Sequence, residues 1–182
     1  MKNYFIISLL CMLSLTMQAQ KIYSKNGSIS FFSKTSMENI SASSNQALCV
    51  LDQSAGNLQF SVLIKSFVFK KALMQEHFNE NYMESNQFPK ASYKGQITDI
   101  SKVNFSKDGN YSVATTGELT MHGVTQKINS PGTIVIKAGK ISANADFSVL
   151  LADYKITVPK LAENNISKSI DIKINVALDQ KM

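Results

Sequence analysis

Apolar and polar positions alternate with period two over most of the chain. Leu58, Phe60, Val62 and Ile64 fall on one face of an extended segment, opposite Gln59, Ser61 and Lys65. The alternation returns after Pro89. Ala91, Tyr93, Gly95 and Ile97 share a face, as do Tyr111, Val113, Thr115, Gly117, Leu119 and Met121. Ile128, Ser130, Gly132, Ile134 and Ile136 make the next row, followed by Ile141, Ala143, Ala145, Phe147, Val149 and Leu151. Ile170, Ile172, Ile174, Val176 and Leu178 give a last clean row. Lys107-Asp108-Gly109-Asn110, His122-Gly123-Val124 and Ala138-Gly139-Lys140 read as turns between rows. The start is less regular. Ile22, Ile29 and Phe31 around Asn26-Gly27 predict a short extended piece with a turn dipeptide. Residues 35–45 predict a polar loop or one helical turn, residues 47–51 a short strand, and residues 154–159 another extended piece.

One stretch departs from this rhythm. Met74, Phe78 and Tyr82 recur at four-residue spacing, with Leu73 and His77 as a neighbouring row, which predicts a helix over about 70–83. Pro89 ends anything helical and makes Phe88 extended. The strand phase slips near Ser66, where Phe67 and Phe69 take the opposite parity, so a bulge is expected there. About eight long, hairpin-linked strands predict an all-β, antiparallel fold. Closure into a barrel removes exposed edges, with the helix crossing or capping the barrel. A two-sheet sandwich is the alternative. The inward rows are thinned by Gly95, Gly117, Ser130, Gly132, Ala143 and Ala145, which leave room for a ligand or let the sheet bend.

The N-terminus reads differently again. Lys2 precedes an apolar run over residues 4–15 that is short for a membrane span, and Ala19 offers a small residue at a cut before Gln20. Residues 1–19 are therefore expected to be a signal peptide, residues 20–182 a single domain, and the protein periplasmic or secreted. Lipidation at Cys11 is not expected, because bulky Leu10 precedes it and the apolar run continues past it. After such a cut Cys49 is the remaining cysteine, set between Leu48 and Val50, and a buried inert thiol is the expected role.

Loss of Lys2 leaves eighteen cations against thirteen acids, near +5, and every cation is lysine. Without arginine, bidentate recognition of phosphate or carboxylate is weakened. The lysines are scattered, so nucleic-acid binding is not expected, whereas weak attraction to an anionic membrane surface is compatible with them. The remaining chemistry is sparse. His77 and His122 lack metal-ligand spacing, and there is no nucleophile elbow, phosphate-cradling loop or cofactor fingerprint. No metal, cofactor or catalytic residue is expected.

The segment Gly117-Glu118-Leu119-Thr120-Met121-His122-Gly123-Val124-Thr125 resembles the G-x-L-T-x-H-G-V-T signature of the YceI-like family. His77-Phe78, Tyr82-Met83 and Phe88-Pro89-Lys90-Ala91 resemble that family's helix and following strand, and residues 27–31 its opening strand. The resemblance implies a lipocalin-like, eight-stranded barrel that holds a long apolar molecule, with polyisoprenoids the best-known ligand class. Many members carry an Arg-Asp pair where this chain has Leu73-Met74-Gln75-Glu76, so no head-group contact carries over.

The expected function is lipid binding, with a monomer or homodimer as the assembly. The expected lipid-binding residues are Phe60, Val62, Ile64, Tyr93, Leu119, Met121, Phe147 and Val149, joined by Phe78 and Tyr82 from the helix. Met74 and Met83 would adapt to a flexible chain. An envelope interaction module with a filled core, and an enzyme acting on lipid through a histidine, are the rivals.

Overall fold

The computed structural model describes residues 21–182. The expected signal peptide lies outside them. The long strands are β1 (Lys21–Lys34), β2 (Asn39–Asp52), β3 (Asn57–Leu63), β5 (Lys90–Ile97), β6 (Gly109–Met121), β7 (Val124–Lys137), β8 (Lys140–Leu150) and β9 (Ser169–Leu178). The two-residue pieces β4 (Val68–Phe69) and β10 (Gln180–Lys181) add short edges. The order β1-β9-β8-β7-β6-β5-β3-β2 returns to β1, and every pairing is antiparallel. The described residues thus form a closed, eight-stranded barrel with one helix, and the sandwich alternative is excluded.

Closure explains the alternation. Each strand buries one face inside and wets the other, so an apolar residue every second position satisfies both. Ile22, Leu51, Ile97, Ile134, Ile136, Val176 and Leu178 form a continuous buried cluster. The register places them near one end, where short turns join β2 to β3, β7 to β8 and β9 to β10. Each such side chain contributes about 1.5–3 kcal/mol by leaving water.

Two turns show why the chain reverses where it does. His122 (φ 51°) and Gly123 (φ 72°) link β6 to β7, and Ala138 (φ 50°) and Gly139 (φ 73°) link β7 to β8. Two consecutive positive φ values define the hairpin turn whose twist matches the strands it joins. The Ala138 amide also donates to the Asp108 carboxylate at 2.9 Å.

Several local expectations are corrected. β1 is one long strand, and Asn26-Gly27 is a register irregularity within it rather than a reversal. β1 is paired on both sides there, and Gly27 lets its backbone approach Ala47 and Val176 closely. β2 starts at Asn39, so only four residues (35–38) connect it to β1. Its first half was unreadable because the inward Ala42 and Ser44 are small or polar. The slip near Ser66 is a short 3-10 turn, Ile64–Ser66. Residues 154–159 contribute no strand: a 3-10 turn at Leu151–Tyr154 is closed by Lys155 at φ 55°.

The helix α1 (Ala72–His77) runs on as a π-helical turn, Phe78–Tyr82, and so starts later than the pattern suggested. Ala72, Leu73, Met74, Gln75 and Glu76 are strong helix formers, and lysine is too, but the chain leaves β4 at Phe69 and Lys71 is still extended as the N-cap, so the helix begins at Ala72. Glu84, at φ 43°, turns the chain away afterwards.

Candidate functional site

The strands and α1 enclose a cavity of about 380 Å³ inside the barrel, within the range of small-molecule sites. Its wall is overwhelmingly apolar. β3 supplies Phe60 and Val62, and the turn after it supplies Ile64. Tyr93 comes from β5, Leu119 and Met121 from β6, Phe147 and Val149 from β8, and Phe78 and Tyr82 from the π-helical turn. The eight residues expected from strand parity and the two expected from the helix therefore face one space, together with Met74 and Met83.

The sequence reading missed other parts of the wall. Phe31, Phe67 and Phe69 also line the cavity and cluster around Phe78, with ring centroids 5.1–5.7 Å apart. The parity of Phe67 and Phe69 was the available signal, and Phe31 sits on an inward position of β1. Ala162, Asn165 and Ile166 come from the β8–β9 connection, which has no periodicity to read.

The glycines divide into two kinds. Gly95 and Gly117 face each other across β5 and β6. A Cβ at Gly95 would collide with the phenol of Tyr93, and one at Gly117 with the backbone of Lys94 and Gly95. The Tyr93 ring therefore occupies the space these glycines vacate, and they leave no free volume for a ligand. Gly132, Ala143 and Ala145 do border the cavity. Burial raises the Tyr93 phenol above its ordinary pKa, with the Thr115 hydroxyl acting in the opposite sense. The phenol stays neutral, as an apolar site requires.

Cys49 also lines the cavity and is a free, buried thiol. Burial pushes its pKa up to about 12, so it presents a protonated, unreactive surface.

Ser130, Thr133 and Asn144 are polar positions on the strand wall, and a second polar group sits at the end where α1, the β1–β2 hairpin and the β8–β9 connection meet. Glu38, His77 and Asn165 lie there. The Lys71 ammonium donates to the Glu38 carboxylate at 3.2 Å, joining α1 to the hairpin. The Ser33 hydroxyl accepts the Ser167 amide at 2.8 Å, joining β1 to the long connection.

His122 has a different task. Its Nδ1 lies 3.0 Å from the Tyr154 carbonyl oxygen and its Nε2 2.8 Å from the Glu84 carboxylate. Phe88 packs edge-on against the ring at 4.8 Å. The Thr120 and Thr125 hydroxyls bond each other at 2.8 Å beneath the turn. His122 thus ties the β6–β7 hairpin to the segment after α1 and to the connection after β8. His77, by contrast, is exposed at the rim.

The model of the YceI-like domain matches residues 14–178. The chain belongs to the YceI-like family. None of the curated proteins matches it. Among solved structures it is similar to a polyisoprenoid binding domain from Saccharophagus degradans, with a TM-score of 0.73 and 14% identity over 86% of this chain and 95% of that one. It is also similar to Burkholderia cenocepacia BcnA, with a TM-score of 0.69 and 14% identity over 84% and 96% of the two chains. At these identities the likeness shows the shared barrel. The segment that resembles the family signature, Gly117–Thr125, runs through the end of β6 and its hairpin into β7, and its histidine is the three-way tie just described.

Proposed function

We propose that this protein binds a long apolar lipid, a polyisoprenoid or acyl chain, inside its barrel. The observation that carries this reading is an apolar cavity running inside a closed barrel and bounded by a helix. The Saccharophagus degradans neighbour, described as a polyisoprenoid binding domain, supports the choice of ligand class. Each methylene moved from water into such a wall is worth about 0.8 kcal/mol, so a chain of modest length binds well without strong polar contacts. The polar groups at the mouth are few, and Lys71 and Glu38 neutralise each other. Recognition therefore rests on the tail rather than on a charged head group.

We read the protein as a carrier rather than an enzyme. Both ring nitrogens of His122 are engaged by structural partners, and Cys49 is held protonated. The apolar run over residues 4–15 supports export to the periplasm or beyond.

Native mass spectrometry of residues 20–182 purified without detergent, followed by organic extraction, tests this. A discrete adduct that extracts as an isoprenoid or fatty lipid is the expected result. Ala145→Phe projects a ring into the cavity and should lower that adduct severalfold while the far-UV spectrum stays unchanged. A parent protein that stays apo after incubation with such lipids would overturn the proposal.

A further inference from the structure

Cargo that is insoluble in water must pass between the cavity and a lipid phase, so the surface around the mouth matters as much as the wall. Three segments frame that mouth: the β1–β2 hairpin, α1, and the β8–β9 connection, each of which contributes cavity-lining residues. Each also presents a large apolar side chain to solvent beside a wall residue. Met37 is 72% exposed and precedes Glu38, Leu73 is 61% exposed and precedes Met74, and Leu161 is fully exposed and precedes Ala162. Val68 and Leu63, also exposed, lie on the chain leading into α1. At the opposite end the large apolar side chains are buried except for the C-terminal Met182. A monomer gains nothing from apolar residues held in water at three neighbouring tips, and such a patch marks an interaction surface.

Lysines accompany these tips. Lys71 is paired with Glu38, while Lys34, Lys70 and Lys160 have no ion-pair partner among the described residues. Glu76 and Glu163 follow nearby in the chain, so the local excess of positive charge is small. The apolar tips therefore select which end docks, and the net positive charge of the whole chain supplies the attraction to an anionic surface.

We infer that the mouth of the barrel docks on an anionic lipid bilayer through Met37, Leu73 and Leu161, so that the cavity opens towards the acyl region. This rests on the reading that the barrel carries lipid. The geometry is that of an interfacial anchor, in which a few apolar side chains enter the headgroup boundary while lysines stay at its surface.

Flotation of residues 20–182 with phosphatidylcholine vesicles containing phosphatidylglycerol tests the surface. The same preparation is extracted with organic solvent to record cavity lipid. The triple variant Met37→Glu, Leu73→Glu, Leu161→Glu should bind these vesicles at least tenfold more weakly and keep its thermal midpoint, because all three side chains are exposed. Leu48→Glu, on an exposed position of the outer wall, should change binding less than twofold. A protein that carries lipid but does not float with the vesicles would overturn the docking surface alone. So would an equal loss in Leu48→Glu, or a dimer by light scattering that the triple variant dissolves, which would make a second copy the occupant. An empty barrel that still docks through these residues would overturn the cargo reading and leave the docking surface standing.

Discussion

At the end of the barrel where Ile22, Leu51, Ile134, Val176 and Leu178 meet, side chains are 1–4% exposed and the β2–β3 and β7–β8 turns are short. At the other end, α1 and its π-helical turn contain no fully buried residue, and the β8–β9 connection takes no regular form beyond 3-10 turns. The same sheet runs through both. The difference shows how a closed barrel can separate stability from access. One end holds the ring together through close packing. At the other end a second buried cluster, with Ile64, Met83, Tyr154 and Ile156 at 1–6% exposure, backs the wall, while α1 itself is held by fewer contacts: Phe78 among three phenyl rings and the Lys71–Glu38 pair, with the His122 tie beside it. Segments with few buried contacts are where local opening is cheapest.

Truncation at the packed end should have the largest effect. Ile134→Ala, at 1% exposure, should cost about 2–5 kcal/mol in denaturant unfolding, whereas Leu73→Ala on α1 should stay within about 0.5 kcal/mol. Similar losses at both sites would break the contrast between the ends. Phe78→Ala comes next. A fully buried phenylalanine costs about 3–5 kcal/mol on truncation, and Phe78 is only half-buried, so about 2 kcal/mol is expected. Its sharper signature is kinetic: a fluorescent isoprenoid analogue should leave the variant severalfold faster than the parent. An unchanged release rate would mean that α1 does not gate the mouth.

The smallest effect sits at the packed end, in the turn after β2. The Asp52 carboxylate accepts from the Ser54 hydroxyl at 2.7 Å and the Ala55 amide at 3.0 Å. These bonds, led by the Ser54 hydroxyl, hold its pKa below the ordinary value of 3.8. A depressed folded-state pKa gives stability that is present above the unfolded value and lost as pH falls through the folded one. Asp52→Asn should therefore lower the thermal midpoint modestly at pH 7, and the difference from the parent should shrink as the pH is taken below about 4. A difference independent of pH would assign the loss to turn geometry instead.

The strands were legible in the sequence because one inward and one outward face impose a strict period, as in the row Ile170 to Leu178, whereas closure into a barrel rather than a sandwich depends on the β1–β9 pairing, which no single row encodes. The same parity located the inward faces, since a residue on an inward row can face only the interior, but it reads alike for a hollow and a filled barrel. Four things were hidden. The first half of β2 buries Ala42 and Ser44, so its inward face looks as polar as its outer one. The role of Gly95 and Gly117 depends on their facing each other across β5 and β6, and on the Tyr93 ring that covers them; neither is encoded within one strand. The mouth is assembled from Glu38, Lys71, Ala162 and Asn165, which belong to segments far apart in the chain and without periodicity. His122 was readable as a turn residue, but its partners Glu84 and Tyr154 lie on other connections.

The pairing of β1 with β9 has a consequence for how the protein is made. The wall cannot be completed until the last long strand reaches the first, the kind of distant contact that slows folding. Before that step the sheet is an open trough whose inner face is exposed along its whole length. Until that seam closes, the apolar rows that later line the cavity face water, so the interior comes into being only with the last long strand in place.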